Sequence, residues 1–275
     1  MLTDVEIESE TVSAVQGIRM ISLDFDGTIL SYDDPAGVFH PAIINVLNAL
    51  PAHGVRWCAN SGREFDDQLA VLERSRKRGL DHLPDALICS ESMVYYRDGA
   101  SYHPLQPWNN AAESYLRDCH RRVQDRLTDR LDYIVNTYQP VTSMIGDLYT
   151  AFLLRDHGSQ PAKLFLELQR FLDGMEDIML TRNGGWVAVM HRELGKGNAL
   201  LEYARHARLT PEHLLAIGDH YNDLPMLTPR VARHLGCPGD AIPEVRQAVS
   251  KAGGRIAEAS GPQGTAEVIQ SLVFG

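Results

Sequence analysis

Asp24-Phe25-Asp26-Gly27-Thr28 is the stretch from which the rest of the chain can be read. It follows Ile18-Arg19-Met20-Ile21-Ser22-Leu23, an apolar run with the character of a buried strand that stops where the acids begin. Two carboxylates just past the carboxyl end of a strand stand where open α/β sheets bind their ligands. Gly27 lets the chain turn sharply there. Counted as a calcium loop from Asp24, the segment fails: Ile29 occupies the sixth position, which needs glycine, and Pro35 the twelfth, which needs a bidentate acid. An acidic turn that merely ends a strand is the plainer alternative, and a catalytic site is the preferred reading.

Outward from this stretch the pattern alternates. Residues 41–50 read as a helix, 55–59 as a strand, 64–78 as a charged helix and 86–89 as a third strand. Tyr95-Tyr96-Arg97-Asp98-Gly99-Ala100 reads as a hairpin around Asp-Gly. Such alternation implies an α/β fold with a doubly wound, Rossmann-like parallel sheet. The middle differs. Residues 111–127 read as a helix, 133–137 and 149–154 as strands, 161–172 as a helix, and 177–181 and 186–190 as strands joined across Asn183-Gly184-Gly185. Helix-strand-strand thus occurs twice, as an inserted α+β cap. Alternation resumes with a helix over 196–207, a strand over 214–217 and a short helix over 223–227. A helix over 243–252, a strand over 255–257 and a helix over 265–272 complete the chain. The expected division is a core over 1–104 with a disordered or loose acidic tail over 1–16, a cap over 105–187, and the rest of the core over 188–275.

Three further segments carry chemistry. Asn60-Ser61-Gly62-Arg63 ends the second strand before a helix, where a hydroxyl and free amides can hold an oxyanion; a plain helix cap by Ser61 is the competing reading. Gly195-Lys196-Gly197-Asn198 precedes another helix, and a solvated turn lysine is its ordinary reading. Gly218-Asp219-His220-Tyr221-Asn222-Asp223 gathers three oxygen-bearing side chains suited to a hard cation. As a calcium loop from Asp219 it also fails, with Arg230 at the twelfth position.

The order of these four segments resembles that of the haloacid dehalogenase superfamily of phosphotransferases. Among its members the closest pattern is the Cof-type, sugar-phosphatase-like group, whose cap is inserted between the second and third motifs. The segment from Gly236 to Val245 resembles that group's stretch after its last motif. The resemblance implies Asp24 as nucleophile forming an aspartyl-phosphate, and Asp26 as acid and then base. It implies Ser61, Gly62 and Lys196 on the phosphate. Mg²⁺ would lie on Asp24, the Asp26 carbonyl and Asp219, with Asn222 and Asp223 nearby. Arg63, Arg182, Trp186 and His191 are candidate substrate contacts, and His220 sits where the motif varies. Two departures bear on the substrate: Glu91-Ser92-Met93 stands where members carry Asn-Gly-Ala, and His234-Leu235-Gly236-Cys237 where they carry a run like Gly-Val-Ala-Val.

The implied activity is a Mg²⁺-dependent phosphatase acting on a small phosphorylated metabolite, a sugar or polyol phosphate. The alternatives are a phosphomutase of the same superfamily and a non-catalytic binding protein on this fold. Composition narrows the partners. A net charge of −10 without a compensating basic cluster speaks against nucleic acid. No apolar stretch is long enough for a membrane span. The amino terminus, with Asp4, Glu6, Glu8 and Glu10 before the first basic residue Arg19, does not resemble a signal peptide, so a cytoplasmic monomer or homodimer is expected. Cys58, Cys89, Cys119 and Cys237 form no CxxC pair and read as buried thiols.

Overall fold

The structure, a computed structural model, describes residues 17–145 and 148–275, so the expected acidic tail lies outside the described residues. The first part runs β1 (Met20–Leu23), α1 (Pro41–Ala49), β2 (Arg56–Asn60), α2 (Phe65–Arg76), β3 (Ala86–Cys89), β4 (Met93–Asp98) and β5 (Ser101–Pro104). Then come α3 (Gln106–Leu127), α4 (Leu131–Tyr138), β6 (Thr142–Ile145), β7 (Thr150–Leu153), α5 (Ser159–Phe171), β8 (Ile178–Asn183) and β9 (Trp186–His191). The last part is α6 (Lys196–His206), β10 (Leu214–Ile217), β11 (His234–Cys237), α7 (Pro243–Lys251), β12 (Arg255–Ile256) and α8 (Gly261–Ile269).

One sheet has the order β12-β11-β10-β1-β2-β3-β4-β5. From β12 through β3 the pairs are parallel, and β4 and β5 add an antiparallel edge. The parallel strands are apolar on both faces because helices cover both. Ile21 and Leu23 enter the core beneath α1 and α8, whereas Met20 enters the opposite core with Leu200 and Val245. The chain leaves β1 toward β2 on one side and returns to β10 on the other. The carboxyl end of β1 is therefore the topological switch point, the crevice where such sheets bind ligands.

The second sheet, β6-β7-β9-β8, is antiparallel throughout. Its core joins Val123 of α3, Ile134 of α4, Phe152 of β7, Leu164 and Leu168 of α5, and Val187 of β9. An α+β insert with two helix-strand-strand passages is thus present, but the first passage is not the expected one. Residues 133–137, expected as a strand, lie in α4. Their β-branched and aromatic side chains suggest a strand, yet only the spacing Leu131, Ile134, Tyr138 reaches the core, and that is a helical spacing. The strand beside β7 is instead β6, with Thr142 opposite Leu153. The short helix expected over 223–227 is also absent; a single 3₁₀ turn, Tyr221–Asp223, comes first. The side chain of Asp223 draws that loop tight by accepting from the backbone N–H groups of Asp219 and His220, both at 2.9 Å. Among the described residues no helix is long and apolar enough to cross a membrane. The four cysteines are free and buried.

Candidate active site

Register aligns the motifs. Leu23 pairs with Ile217 on one side and Ala59 on the other, so Asp24, the Gly218-Asp219 turn and Asn60-Ser61 emerge at one level on three adjacent strands. The turn after β1 closes with the Gly27 N–H on the Leu30 carbonyl at 2.8 Å. Gly27 has φ 82°, and a Cβ there would fall on the Asp219 carboxylate; only glycine serves both needs.

Lys196, the first residue of α6, is fully buried and donates to Asp24 Oδ1 at 2.5 Å and to Asp223 Oδ1 at 2.6 Å. It is not the solvated turn lysine of the plain reading. Burial alone would push its ammonium down, but the carboxylates of Asp223, Asp24 and Glu91 outweigh it and hold its pKa above the ordinary value. Asp24 is raised well above the usual carboxylate range, first by burial and then by Asp223, with Lys196 opposing. Asp219 is pushed up to about 7 by burial and by Asp223, against the hydrogen bond from Thr28. Thr28 Oγ1 donates to Asp219 Oδ1 at 2.7 Å and Tyr32 Oη to Oδ2 at 3.2 Å.

Ligand oxygens of Asp24, Asp219 and Asp223 lie within 4.8 Å of one another. One lysine faces three buried carboxylates, so the cluster is short of positive charge. Among the buried oxygens without a partner are Asp24 Oδ2 and Asn222 Oδ1. Orphaned buried oxygens in an anionic cluster fit a hard divalent cation. Both oxygens of Asp223, by contrast, are already used, one by Lys196 and the other by the loop N–H groups.

Ser61 is buried, and its hydroxyl accepts from the Arg63 N–H at 3.2 Å. It does not cap α2, whose N-cap is Glu64. The turn carrying Ser61, Gly62 and Arg63 is laced to the next strand end: Ser61 N–H donates to Ile88, Ser90 N–H to Arg63 and Glu91 N–H to Ser61. Arg63 makes a two-pronged ion pair with Asp26, Nε to Oδ2 at 2.9 Å and Nη2 to Oδ1 at 2.7 Å.

The cap's second hairpin touches this loop. The Gly184 N–H donates to His220 Nε2 at 3.4 Å, and His220 Nδ1 lies 3.3 Å from the Arg182 carbonyl, which fixes the proton on Nδ1. Burial lowers the His220 pKa despite that carbonyl. The Arg182 guanidinium lies over the Tyr221 ring, 4.3 Å from its centroid. Trp186 is 37 % exposed. His191 packs inside the insert against Tyr115, with Asp177 at 3.6 Å, and does not face the acid cluster.

Four residues with a part here were given no role from sequence. Thr28 and Tyr32 clamp Asp219, and Glu91 accepts from Asn222 Nδ2 at 2.9 Å. Asn60 donates to the Lys196 carbonyl at 3.1 Å, tying β2 to α6. The polar ends of Asn60 and Thr28 inside apolar surroundings were the available signal; Glu91 stood out only as a departure from the family pattern, and Tyr32 had no signal, since its partner is remote in sequence.

The sequence model of the haloacid dehalogenase-like hydrolases matches residues 110–259. The HMP-PP phosphatase of Yersinia pseudotuberculosis serotype IB (strain PB1/+) is 25% identical over 251 residues, covering 83% of this chain and 86% of that protein. The sucrose-phosphatase of Synechocystis sp. PCC6803, solved with sucrose and phosphate, superposes with a TM-score of 0.68 at 18% identity, over 93% of this chain and 97% of that one. A subclass IIB sugar phosphatase of the haloacid dehalogenase superfamily superposes with a TM-score of 0.64 at 14% identity, over 92% and 98% of the two chains. The structural likenesses are of fold.

Proposed function

The chain belongs to the haloacid dehalogenase-like hydrolases, and from that premise we propose that it is a Mg²⁺-dependent phosphatase of a small phosphorylated metabolite, a sugar or polyol phosphate. The observation that carries the reading is the buried pair Asp24–Lys196 at the switch point, with one Asp24 oxygen held by the lysine and the other free of partners.

In this reading a carboxylate oxygen of Asp24 attacks phosphorus, forming an aspartyl-phosphate as the bond to the leaving alkoxide breaks. Asp26 gives that alkoxide its proton, then takes one from the water that attacks the phosphoryl group and frees Asp24. Lys196 offsets the repulsion between carboxylate and phosphate dianion. The Ser61 hydroxyl and the Gly62 amide hold the phosphoryl oxygens. Asp24, Asp219, Asn222 and the Asp26 carbonyl would hold the divalent cation, which supplies charge neutralisation at the phosphoryl oxygens. Arg63 bears on the same chemistry. An acid cannot give up a proton while both its oxygens are held by a guanidinium, so substrate must draw Arg63 away from Asp26. A phosphate dianion is a suitable competitor for that fork.

The test is phosphate release over a panel of phosphorylated sugars and polyols, with Mg²⁺ and then with chelator. Turnover should stop in chelator and return with Mg²⁺ better than with Ca²⁺, whose looser coordination suits in-line transfer less well. Undiminished turnover in chelator would overturn the metal assignment. Isomerised phosphate esters without free phosphate would place the chain among mutases instead.

A further inference from the structure

Glu91 lies beside the site, and its backbone is unusual. Ser90 and Glu91 both adopt left-handed conformations, φ 48° and 58°. Asparagine is enriched in that region several-fold, whereas glutamate gains nothing from it. A residue kept in an unfavoured conformation beside a site calls for a functional reason. Its surroundings supply one. Glu91 is buried, and its backbone is tied to Ser61 of the phosphate loop. Its Oε1 accepts from Asn222 Nδ2 at 2.9 Å. An ideal Cβ on Gly62 would lie 3.5 Å from the same oxygen.

Asn222 is 3% exposed and lies in the same loop as Asp219 and Asp223, between the two acids in sequence. A carboxylate accepts and does not donate, so it selects the amide nitrogen for itself. The amide oxygen is left buried and without a partner. We infer that Glu91 is a positioning residue for the cation site, orienting Asn222 so that the amide oxygen rather than the nitrogen is presented to the cation. Glu91 also links the turn that carries Ser61 to the loop that carries Asn222, through its backbone N–H on one side and its side chain on the other.

The inference rests on the cation site described above, and its test separates the two. Mn²⁺ binding to the purified full-length chain, without substrate, is measured by titration calorimetry and by the Mn²⁺ electron spin resonance signal. Thermal melts of each variant establish folding. Wild type should bind one Mn²⁺. Glu91→Ala should weaken binding about tenfold, the usual size of losing a partner that orients a ligand. Glu91→Gln keeps an acceptor of the same reach but adds a donor, so it should lose less than Glu91→Ala and stay within about threefold of wild type. In an Asn222→Ala background, Glu91→Ala should cause no further loss, because its action passes through Asn222. Equal losses in the Ala and Gln variants would mean that charge alone acts, and the inference falls. Additive losses in the double variant, or unchanged binding in Glu91→Ala, overturn it while leaving the cation site standing. Failure of wild type to bind Mn²⁺ overturns both.

Discussion

Removing the Lys196 ammonium would leave Asp24 and Asp223 as buried neighbours with no cation between them. Breaking a buried ion pair from one side costs about 3–5 kcal/mol, because the remaining charge stays desolvated. Lys196→Met should therefore lower stability by that order in metal-free protein, read by urea unfolding. Adding Asp223→Asn should recover part of the loss. A loss below about 1 kcal/mol, the worth of an exposed pair, would mean the lysine is not the charge balance of this cluster. Asp24→Asn answers a different question. The amide keeps the shape and abolishes the nucleophile, so turnover of an aryl phosphate should fall at least about a thousandfold while the melt barely moves. A loss within about tenfold, roughly 1.4 kcal/mol on the barrier, would contradict the assignment of Asp24.

At the scale of the element, α4 is where sequence and structure part. Its end is explicit: Gln139 stands at the C-cap with φ 44°, and its N–H returns to the Val135 carbonyl. The left-handed region costs an ordinary residue about 1–2 kcal/mol and glycine almost nothing. Gln139 is exposed, so substitution there tests backbone alone. Gln139→Gly should leave stability unchanged or raise it by a few tenths of a kcal/mol, and Gln139→Val should lower it by about 1 kcal/mol. Were 133–139 a strand, valine would be the better residue and the order would reverse. Thermal melts of the two variants decide it. Tyr133, Val135 and Thr137 explain why propensity misleads here. They are exposed on the helix, and the core takes only Leu131, Ile134 and Tyr138.

Across the whole molecule, the insert reaches the core site through the hairpin of β8 and β9, with Arg182 over Tyr221 and the Gly184 N–H on His220. A cover so placed can exclude water and tell leaving groups apart. Arg182→Ala should lower kcat/KM for sugar phosphates about tenfold more than for a small aryl phosphate, the scale of one lost contact to a charged group. Equal losses on both substrates would mean that Arg182 only docks the insert. Most of this architecture was legible beforehand. The strands β3 and β10 are apolar throughout and β1 is so apart from Ser22, and helices fill the intervals, because a sheet covered on both faces tolerates little else. The strand β11 was less so, opening on His234 and interrupted by Gly236.

The sequence by itself determined the chemistry on offer: a pair of acids after an apolar strand, a Ser-Gly turn, a lysine and an acidic loop, in an order with a known family resemblance. Local spacing suffices for that, since each segment is contiguous and its turn chemistry is its own. Only the tertiary structure decided which of these groups touch. Lys196 meets Asp24 across 172 positions and Asn222 meets Glu91 across 131, because parallel pairing on both sides of β1 brings remote strand ends to one level. The carboxylates gathered there then hold the buried lysine ionised against its own desolvation, and oxygens of Asp24 and Asn222 are left without partners. Those properties belong to the crevice rather than to any residue, which is why no reading along the chain contains them.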